Sequence, residues 1–141
     1  MSATGSRADA GATLLEMLVV LGILGLVTGL VFPSVIHPLQ RMTQLQARAA
    51  LAANLRLARA DAARQGHAVT FDLAQDGRSY GWDGASVTLP ATLSVEGEAR
   101  SIRFFADGSS SGGRFWIRGS DRALGVLVDP ITGVAAVPAA G

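Results

Sequence analysis

An uncharged apolar run near the amino terminus constrains this chain more than any other feature. No Asp, Glu, Lys or Arg occurs from Met17 to Gln40. The stretch from Met17 to Ile36 would form a helix about 30 Å long, because an α-helix rises about 1.5 Å per residue. The hydrocarbon core of a bilayer has this thickness. The sequence therefore predicts a transmembrane helix.

The run differs from a secretory signal peptide in length and in the position of its small residue. A signal peptide has an apolar core of about 7–15 residues and is cut after that core. Here the apolar run is longer, and the small residue Gly11 precedes it. A cut at Gly11 would leave the apolar segment attached to the mature protein.

Three glycines lie within the run at intervals of three and four residues, namely Gly22, Gly25 and Gly29. This spacing places them close to one face of a helix. Small residues on one face allow another helix to approach closely. The sequence therefore predicts close packing of this helix against a neighbouring one.

Glu16 places a carboxylate at the start of the apolar run. At the centre of a bilayer a carboxylate costs about 2.5–3.5 kcal/mol, and a position near the end of the segment lowers this cost. A cut after Gly11 would make Ala12 a free amino terminus, one helical turn before Glu16. The new amine could pair with a Glu16 carboxylate within one chain or between chains. Such a pair would fix the axial register, because an unpaired charge in lipid is costly.

Gly11 and the segment TLLEMLVV that begins at Thr13 resemble the processing signal of type IV pilins and type II secretion pseudopilins. The resemblance implies that a membrane peptidase cuts between Gly11 and Ala12 and methylates the new amino terminus at Ala12. It also implies that Glu16 guides assembly into a filament. Pro33 matches the proline that such anchors usually carry. Residues 1–11 would be a leader peptide, and residues 12–36 a transmembrane and assembly helix.

Residues 37–66 are predicted to form an amphipathic helical stem. We expect a helix from about Leu39 to Gln65, ended by Gly66. Three arginines, Arg41, Arg48 and Arg59, would lie on a solvated face. The apolar residues recur at sums of three and four, which predicts one helical stripe of the kind that faces a core. This stripe comprises Leu39, Met42, Ala49, Ala53, Leu57 and Ala60.

Beyond His67 the pattern changes to short alternating segments typical of strands. Asp76-Gly77 and Asp83-Gly84 are hairpin-turn signals, since glycine accepts positive φ. One long helix followed by strands predicts an α+β fold in which the helix packs on an antiparallel sheet domain over residues 67–141. The expected strands cover residues 69–73, 80–82, 87–89, 93–95, 102–105, 115–118 and 126–128.

The segment GSSSG from Gly108 to Gly112 satisfies the G-x-S-x-G pattern of serine hydrolases. That motif needs a following helix and a downstream histidine. No histidine follows His67, and a strand pattern follows the loop, so we interpret the segment as a flexible loop. The chain has no Cys, and His37 and His67 are far apart in sequence, which disfavours a shared metal site. We predict no catalytic residue, no metal site and no cofactor. Loss of an activity on replacing Ser110 would favour a membrane-anchored hydrolase instead.

Residues 102–105, 107–113 and 128–133 resemble the distal part of H-type minor pseudopilins of type II secretion and the related minor pilins grouped with fimbrial protein T. The resemblance implies a pilin-like fold and a non-catalytic subunit near the tip of a periplasmic pseudopilus that drives protein export. It implies a single-pass protein of the bacterial inner membrane with its carboxyl-terminal domain in the periplasm. Its partners would be other pseudopilins through their amino-terminal helices, the prepilin peptidase, the inner-membrane secretion platform and exported proteins.

The alternative is a minor pilin of a type IV pilus that binds DNA. The net charge of +1 gives no strong attraction to nucleic acid. Four residues come closest to a nucleic-acid patch, and their alternation on a strand predicts two inward and two outward side chains. They are Arg114, Phe115, Trp116 and Arg118.

Overall fold

A computed structural model describes residues 7–119 and 122–138 of the 141-residue chain, and for residues 7–12 and 30–38 it describes the backbone alone. One helix is followed by strands, as the sequence predicts. The elements are α1 (Arg7–Gln65), β1 (Val69–Leu73), β2 (Ser79–Trp82), β3 (Ala85–Thr88), β4 (Ser94–Gly97), β5 (Ser101–Phe104), β6 (Gly113–Arg118), β7 (Leu124–Val128) and β8 (Ala135–Ala136).

The chain divides into two compact units, Met1–Leu39 and Gln40–Gly141. In the first unit the described backbone is the amino-terminal part of α1. The second unit contains the rest of α1 and every described strand. The helix ends at Gln65, as predicted, and Gly66 follows with φ of 71°. Glycine occupies this left-handed conformation at little cost, which explains the stop.

The described strands form two antiparallel sheets, whereas the sequence predicted one. The first has the order β3-β2-β1-β5 and the second β4-β6-β7-β8. Side chains along β6 alternate between buried and exposed, as they do in a strand with one face on the core. Phe115 and Ile117 are buried, while Arg114 and Arg118 are exposed. The sequence did not predict β8, because two residues carry no periodic signal.

Among the described residues, one hydrophobic core joins α1 to both sheets. Leu51 and Leu55 of the helix are fully buried, and the largest buried side chains of the sheets are Phe71, Phe104 and Phe115. The rings of Phe71 and Phe115 lie 5.9 Å apart. The helix also contributes three small residues to the core, which let its backbone lie close to the strands: Ala52, Ala58 and Ala62.

The prediction that the apolar stripe of the stem faces the core is wrong. All of its members are exposed: Leu39, Met42, Ala49, Ala53, Leu57 and Ala60. The core face is defined by Leu51 and Leu55, on the other side of the helix. Alanine occurs on both sides, so periodicity alone could not select the buried one. Arg48 and Arg59, predicted to be solvated, are half-buried beside this core face.

Both predicted Asp-Gly turns are confirmed. Asp83 and Gly84, between β2 and β3, have φ of 46° and 81°. Two consecutive positive φ values match the two-residue hairpin turn that follows the twist of the strands. Gly77, between β1 and β2, has φ of 65°.

One buried amide ties α1 to the second sheet. The Gln44 side chain is only 4% exposed. Its Nε2 donates to the carbonyl oxygens of Ile117, at 3.0 Å, and Arg122, at 2.6 Å. A buried amide is tolerated because these bonds replace those it makes with water.

Gln44→Leu should lower the free energy of unfolding by about 1–3 kcal/mol, because a buried carbonyl group of Ile117 and a part-buried one of Arg122 lose their donor. Gln46→Leu is the matched control, since Gln46 is exposed on the same helix. Chemical denaturation of the full chain in detergent would measure both. Equal effects of the two substitutions would contradict the role given to Gln44.

Candidate assembly site

The amino-terminal part of α1 exposes a continuous apolar surface. The described side chains, residues 13–29, are all exposed. The leucines among them remain 56–70% accessible. An apolar surface of this extent marks a contact with lipid or with another protein. Thr13, Leu14, Met17, Leu18 and Leu21 line a shallow apolar groove along it.

Glu16 is an exposed carboxylate within this apolar segment. Gly11 and Ala12 lie within α1, but their side chains fall outside the described ones. Cleavage after Gly11, methylation of Ala12 and the assembly role of Glu16 stay predictions. An α-helix has 3.6 residues per turn, so an amine at Ala12 would lie one turn from Glu16.

The three glycines of the apolar run leave gaps in this surface. A Cβ atom added at Gly22, Gly25 or Gly29 would meet nothing within 4 Å. No contact among the described residues therefore requires glycine at these three positions. A neighbouring helix could approach the backbone closely at these positions.

The described side chains, which exclude those of residues 30–38, form neither a membrane span nor a metal site. Within them no helix is both long and apolar enough to cross a bilayer. The same set contains no group of three metal-binding side chains.

The stem carries a second exposed apolar surface. Within residues 40–65, Met42 is 62% exposed and Leu57 is 53% exposed. Both lie on the side of the helix away from Leu51 and Leu55, which are fully buried. The stripe that the sequence predicted is therefore an exposed surface of the stem and not a core face.

The serine-rich segment is a loop between two strands, β5 and β6, as the sequence predicts, and hydrogen bonds anchor it to its neighbours. Ser110 is 6% exposed, and its hydroxyl donates to the Asp129 carbonyl oxygen at 3.0 Å. The Ser110 Oγ in turn accepts from the Gly112 amide at 3.0 Å. The hydroxyl therefore bridges two loops and has no catalytic partner among the described residues. His67 is exposed at the end of α1.

Arg59 ties the β5–β6 loop to the helix and lies close to Gly133 of the β7–β8 loop. Its Nε donates to the Gly108 carbonyl oxygen at 2.9 Å. A side chain at Gly133 would collide with the same carbonyl and with Arg59. Sequence reasoning missed this role because an arginine on an amphipathic helix is usually solvated.

The β7–β8 loop is organised by the Asp129 carboxylate. Its Oδ1 accepts from the backbone amides of Thr132 and Ile131 and from the Thr132 hydroxyl, at 2.8–3.0 Å. The bonds from Thr132, followed by the one from Ile131, lower the pKa of Asp129. Such bonds stabilise the charged form.

Asp129→Asn should make the stability of the domain less dependent on pH. Because the folded-state pKa of Asp129 is lowered, its charge contributes stability that is present above the unfolded pKa, about 3.9, and is lost as pH falls through the folded pKa. Wild type should therefore exceed the variant in melting temperature at pH 7. This advantage should shrink below about pH 4. A difference that is constant over this range would contradict the account.

Together these features define a class. An exposed apolar helical segment with an acidic residue near its start, continued as a helix that packs on antiparallel sheets, is the architecture of a pilin-like protein. The family model described as type II transport protein GspH matches residues 47–133, and the prokaryotic N-terminal methylation motif matches residues 6–32. The chain belongs to the GspH family of minor pseudopilins and pilins.

Solved structures show the same fold at low identity. The type IV minor pilin FimU of Pseudomonas aeruginosa is 18% identical, with a TM-score of 0.60 over 70% of this chain and 90% of that chain. The minor pseudopilin EpsH from the type 2 secretion system of Vibrio cholerae is 16% identical, with a TM-score of 0.56 over 67% of this chain and 95% of that chain. No curated protein matches the sequence.

Proposed function

We propose that this chain is a minor pseudopilin of a type II secretion system, placed near the tip of the periplasmic pseudopilus. The observation that carries the proposal is the match of the GspH family to the domain, in one chain with an N-terminal methylation motif. The chain would be a single-pass protein of the inner membrane with its sheets in the periplasm. It would act by assembly and not by catalysis.

The exposed surfaces suggest how the subunit assembles. The apolar segment of α1 would first lie in lipid, with residues 12–36 as the span. After trimming, it would exchange lipid for the helices of other pseudopilins, which approach at the glycine positions. The exposed Met42 and Leu57 would extend this contact along the stem. The prepilin peptidase and the inner-membrane secretion platform would act on it before assembly, and exported proteins would meet it at the tip.

Deletion of the gene in its own host tests this function. We expect exported proteins to accumulate in the periplasm while pili and twitching motility remain normal. Expression of the full chain from a plasmid should restore export. Normal export together with lost piliation would reject the secretion role and leave the pilin-like class intact.

The second candidate is a type IV pilus minor pilin that binds DNA, and the similarity to FimU favours it. The sequence predicted that two of the four patch side chains point inward and two outward, and this is wrong. Only Phe115 is buried, whereas the other three lie on the outer face of β6: Arg114, Trp116 and Arg118. Arg118 is paired with Glu96 at 2.7 Å, which halves the free positive charge. Salt-dependent binding of the purified protein to single-stranded DNA, weakened in Trp116→Ala, would favour this candidate.

Processing gives a further test of the proposed function. The mature chain should begin at a methylated Ala12, and Gly11→Val should block the cut because a branched side chain replaces the glycine before it. Intact-mass spectrometry of protein from the native host would measure both. Gly5→Val is the control, since it changes a glycine of the leader away from the cut. An unprocessed wild-type chain that still supports export would contradict the proposal.

A further inference from the structure

We propose that the open edge of β3 binds an extended segment of another protein, which adds a fifth strand to the first sheet. An outer strand presents backbone N–H and C=O groups that can pair with a further strand. This form of recognition uses main-chain hydrogen bonds for affinity. The inference concerns the sheet domain and goes beyond the proposed assembly through α1.

The other outer strands are covered by the chain itself. Along β5 the Arg103 carbonyl oxygen accepts from the Ser111 amide, and the Arg103 amide donates to the Ser111 hydroxyl. Along β4 the Val95 amide donates to the Gly77 carbonyl oxygen. Strand β8 has two residues, and the Ala135 carbonyl oxygen accepts from Arg56.

The edge of β3 has no such cover among the described residues. At one end of the strand, the two-residue turn makes Ala85 a hydrogen-bonded partner of Trp82. Just beyond the other end, the Leu89 amide donates to the Arg78 carbonyl oxygen. Hydrogen-bonded and non-hydrogen-bonded positions alternate along an antiparallel pair. The backbone groups of Ser86 and Thr88 therefore point away from β2.

The side chains of β3 permit a close approach. The strand reads Ala-Ser-Val-Thr and contains no charge and no proline, the devices that commonly protect an edge. Ser86 and Thr88 are exposed, whereas Val87 is half-buried against the core. An apolar residue of an added strand would cover the remaining surface of Val87, which favours a segment that alternates apolar and polar residues.

The edge is held in place by contacts to the end of α1. The Gln65 side chain donates to the Asp83 carboxylate at 2.6 Å, and the Trp82 indole donates to the Asp61 carboxylate at 3.1 Å. The Trp82 ring also stacks on Phe71, with centroids 5.7 Å apart. A fixed edge loses little conformational freedom on binding.

The size of the edge indicates the kind of partner. Four residues of strand extend about 13 Å, and pairing of two such strands would bury far less than the roughly 1,000 Å² that a stable interface between folded proteins needs. A second copy of this chain is therefore disfavoured as the partner. A flexible extended segment needs no second folded surface and can use so short an edge.

A peptide that cannot pair with itself tests the proposal directly. The probe is a fluorescent seven-residue peptide of alternating threonine and valine, with the amides along one edge methylated. Fluorescence anisotropy would follow its binding to the full chain in detergent micelles. We expect saturable binding, and none to the same peptide methylated at every amide, because that peptide has no donor left.

Two substitutions at one position provide the matched control. Ser86→Pro removes an outward N–H without breaking a bond to β2, so the fold should be kept, as it is for prolines on edge strands. It should weaken binding at least about tenfold, whereas Ser86→Ala, which keeps the N–H, should change it less than about twofold. Circular dichroism would confirm that both variants fold.

Three results would overturn the proposal. They are the absence of saturable binding to wild type, equal binding by a correctly folded Ser86→Pro variant, and a wild-type dimer that dissociates in that variant. The last result would make a second copy the occupant of the edge. The assay needs no filament, so its outcome is separate from the test of the secretion role.

Discussion

Glu16→Ala is expected to insert into the membrane normally and to be lost from the filament. Insertion should survive because the apolar run is unchanged and the substitution removes a charge from it. Assembly should fail because the amine of a trimmed neighbour would lose its carboxylate partner in a medium of low dielectric constant. Removing one member of a buried ion pair typically costs about 3–5 kcal/mol.

This energy sets the size of the effect. Each 1.4 kcal/mol is about a factor of ten in an equilibrium constant, so incorporation should fall at least about tenfold even if half the energy is recovered by solvent. Quantitative blotting of sheared filaments against whole membranes would measure the ratio. Glu16→Gln should behave like Glu16→Ala, because the amide keeps the size of the side chain but carries no charge.

Thr28→Ala is the matched control within the same segment. The Thr28 hydroxyl donates to the Leu24 carbonyl oxygen at 2.7 Å, four residues earlier in the helix. It is therefore satisfied within its own chain and is not needed by a neighbour. Normal incorporation of Glu16→Ala, or an equal defect in Thr28→Ala, would contradict the pairing account.

The local features of the fold could be predicted from the sequence because each has a short-range cause. Positive φ at Asp83 and Gly84 is a property of the Asp-Gly pair, and Gly66 ends the helix for the same reason. Alternation in β1 and β6 follows from the two-residue period of a strand. The strands other than β8 and the end of the helix were therefore predicted close to their observed positions.

Choosing the buried face of α1 required information that the helix does not contain. Leucine and alanine occur on both sides, and only the position of the sheets decides that Leu51 and Leu55 are core while Met42 and Leu57 are exposed. A helix with two apolar sides is what a subunit needs when one side packs on its own domain. The other side would then be free for a neighbour.

Long-range polar contacts were also beyond the sequence. Gln44 and Arg59 reach carbonyl groups more than forty residues away along the chain. Neither residue lies in a motif that signals its partner. The candidate assembly residues Gly11, Ala12 and Glu16 were identified from a local sequence pattern. The structure shows in addition that Glu16 and the apolar residues around it are exposed.

Phe115→Ala is expected to destabilise the domain more than any other single substitution proposed for it. Phe115 is fully buried in β6, between Gly97 of β4 and Val126 of β7. Its ring fills the space that a side chain at Gly97 would need. Its removal would leave a cavity in the core, and the surroundings of such a cavity relax only partially.

The expected loss is about 3–5 kcal/mol, the range for truncating a buried phenylalanine. A domain of this size has a total stability of about 5–15 kcal/mol. Each kcal/mol lost lowers the melting temperature by about 4 °C or more, so a loss of about 3 kcal/mol should lower it by at least about 12 °C. Trp116→Ala is the control, because this larger ring lies next along the strand but on its outer face, half-buried. It should cost about 1 kcal/mol. Equal losses for the two substitutions would show that the two faces of β6 are not divided between core and solvent.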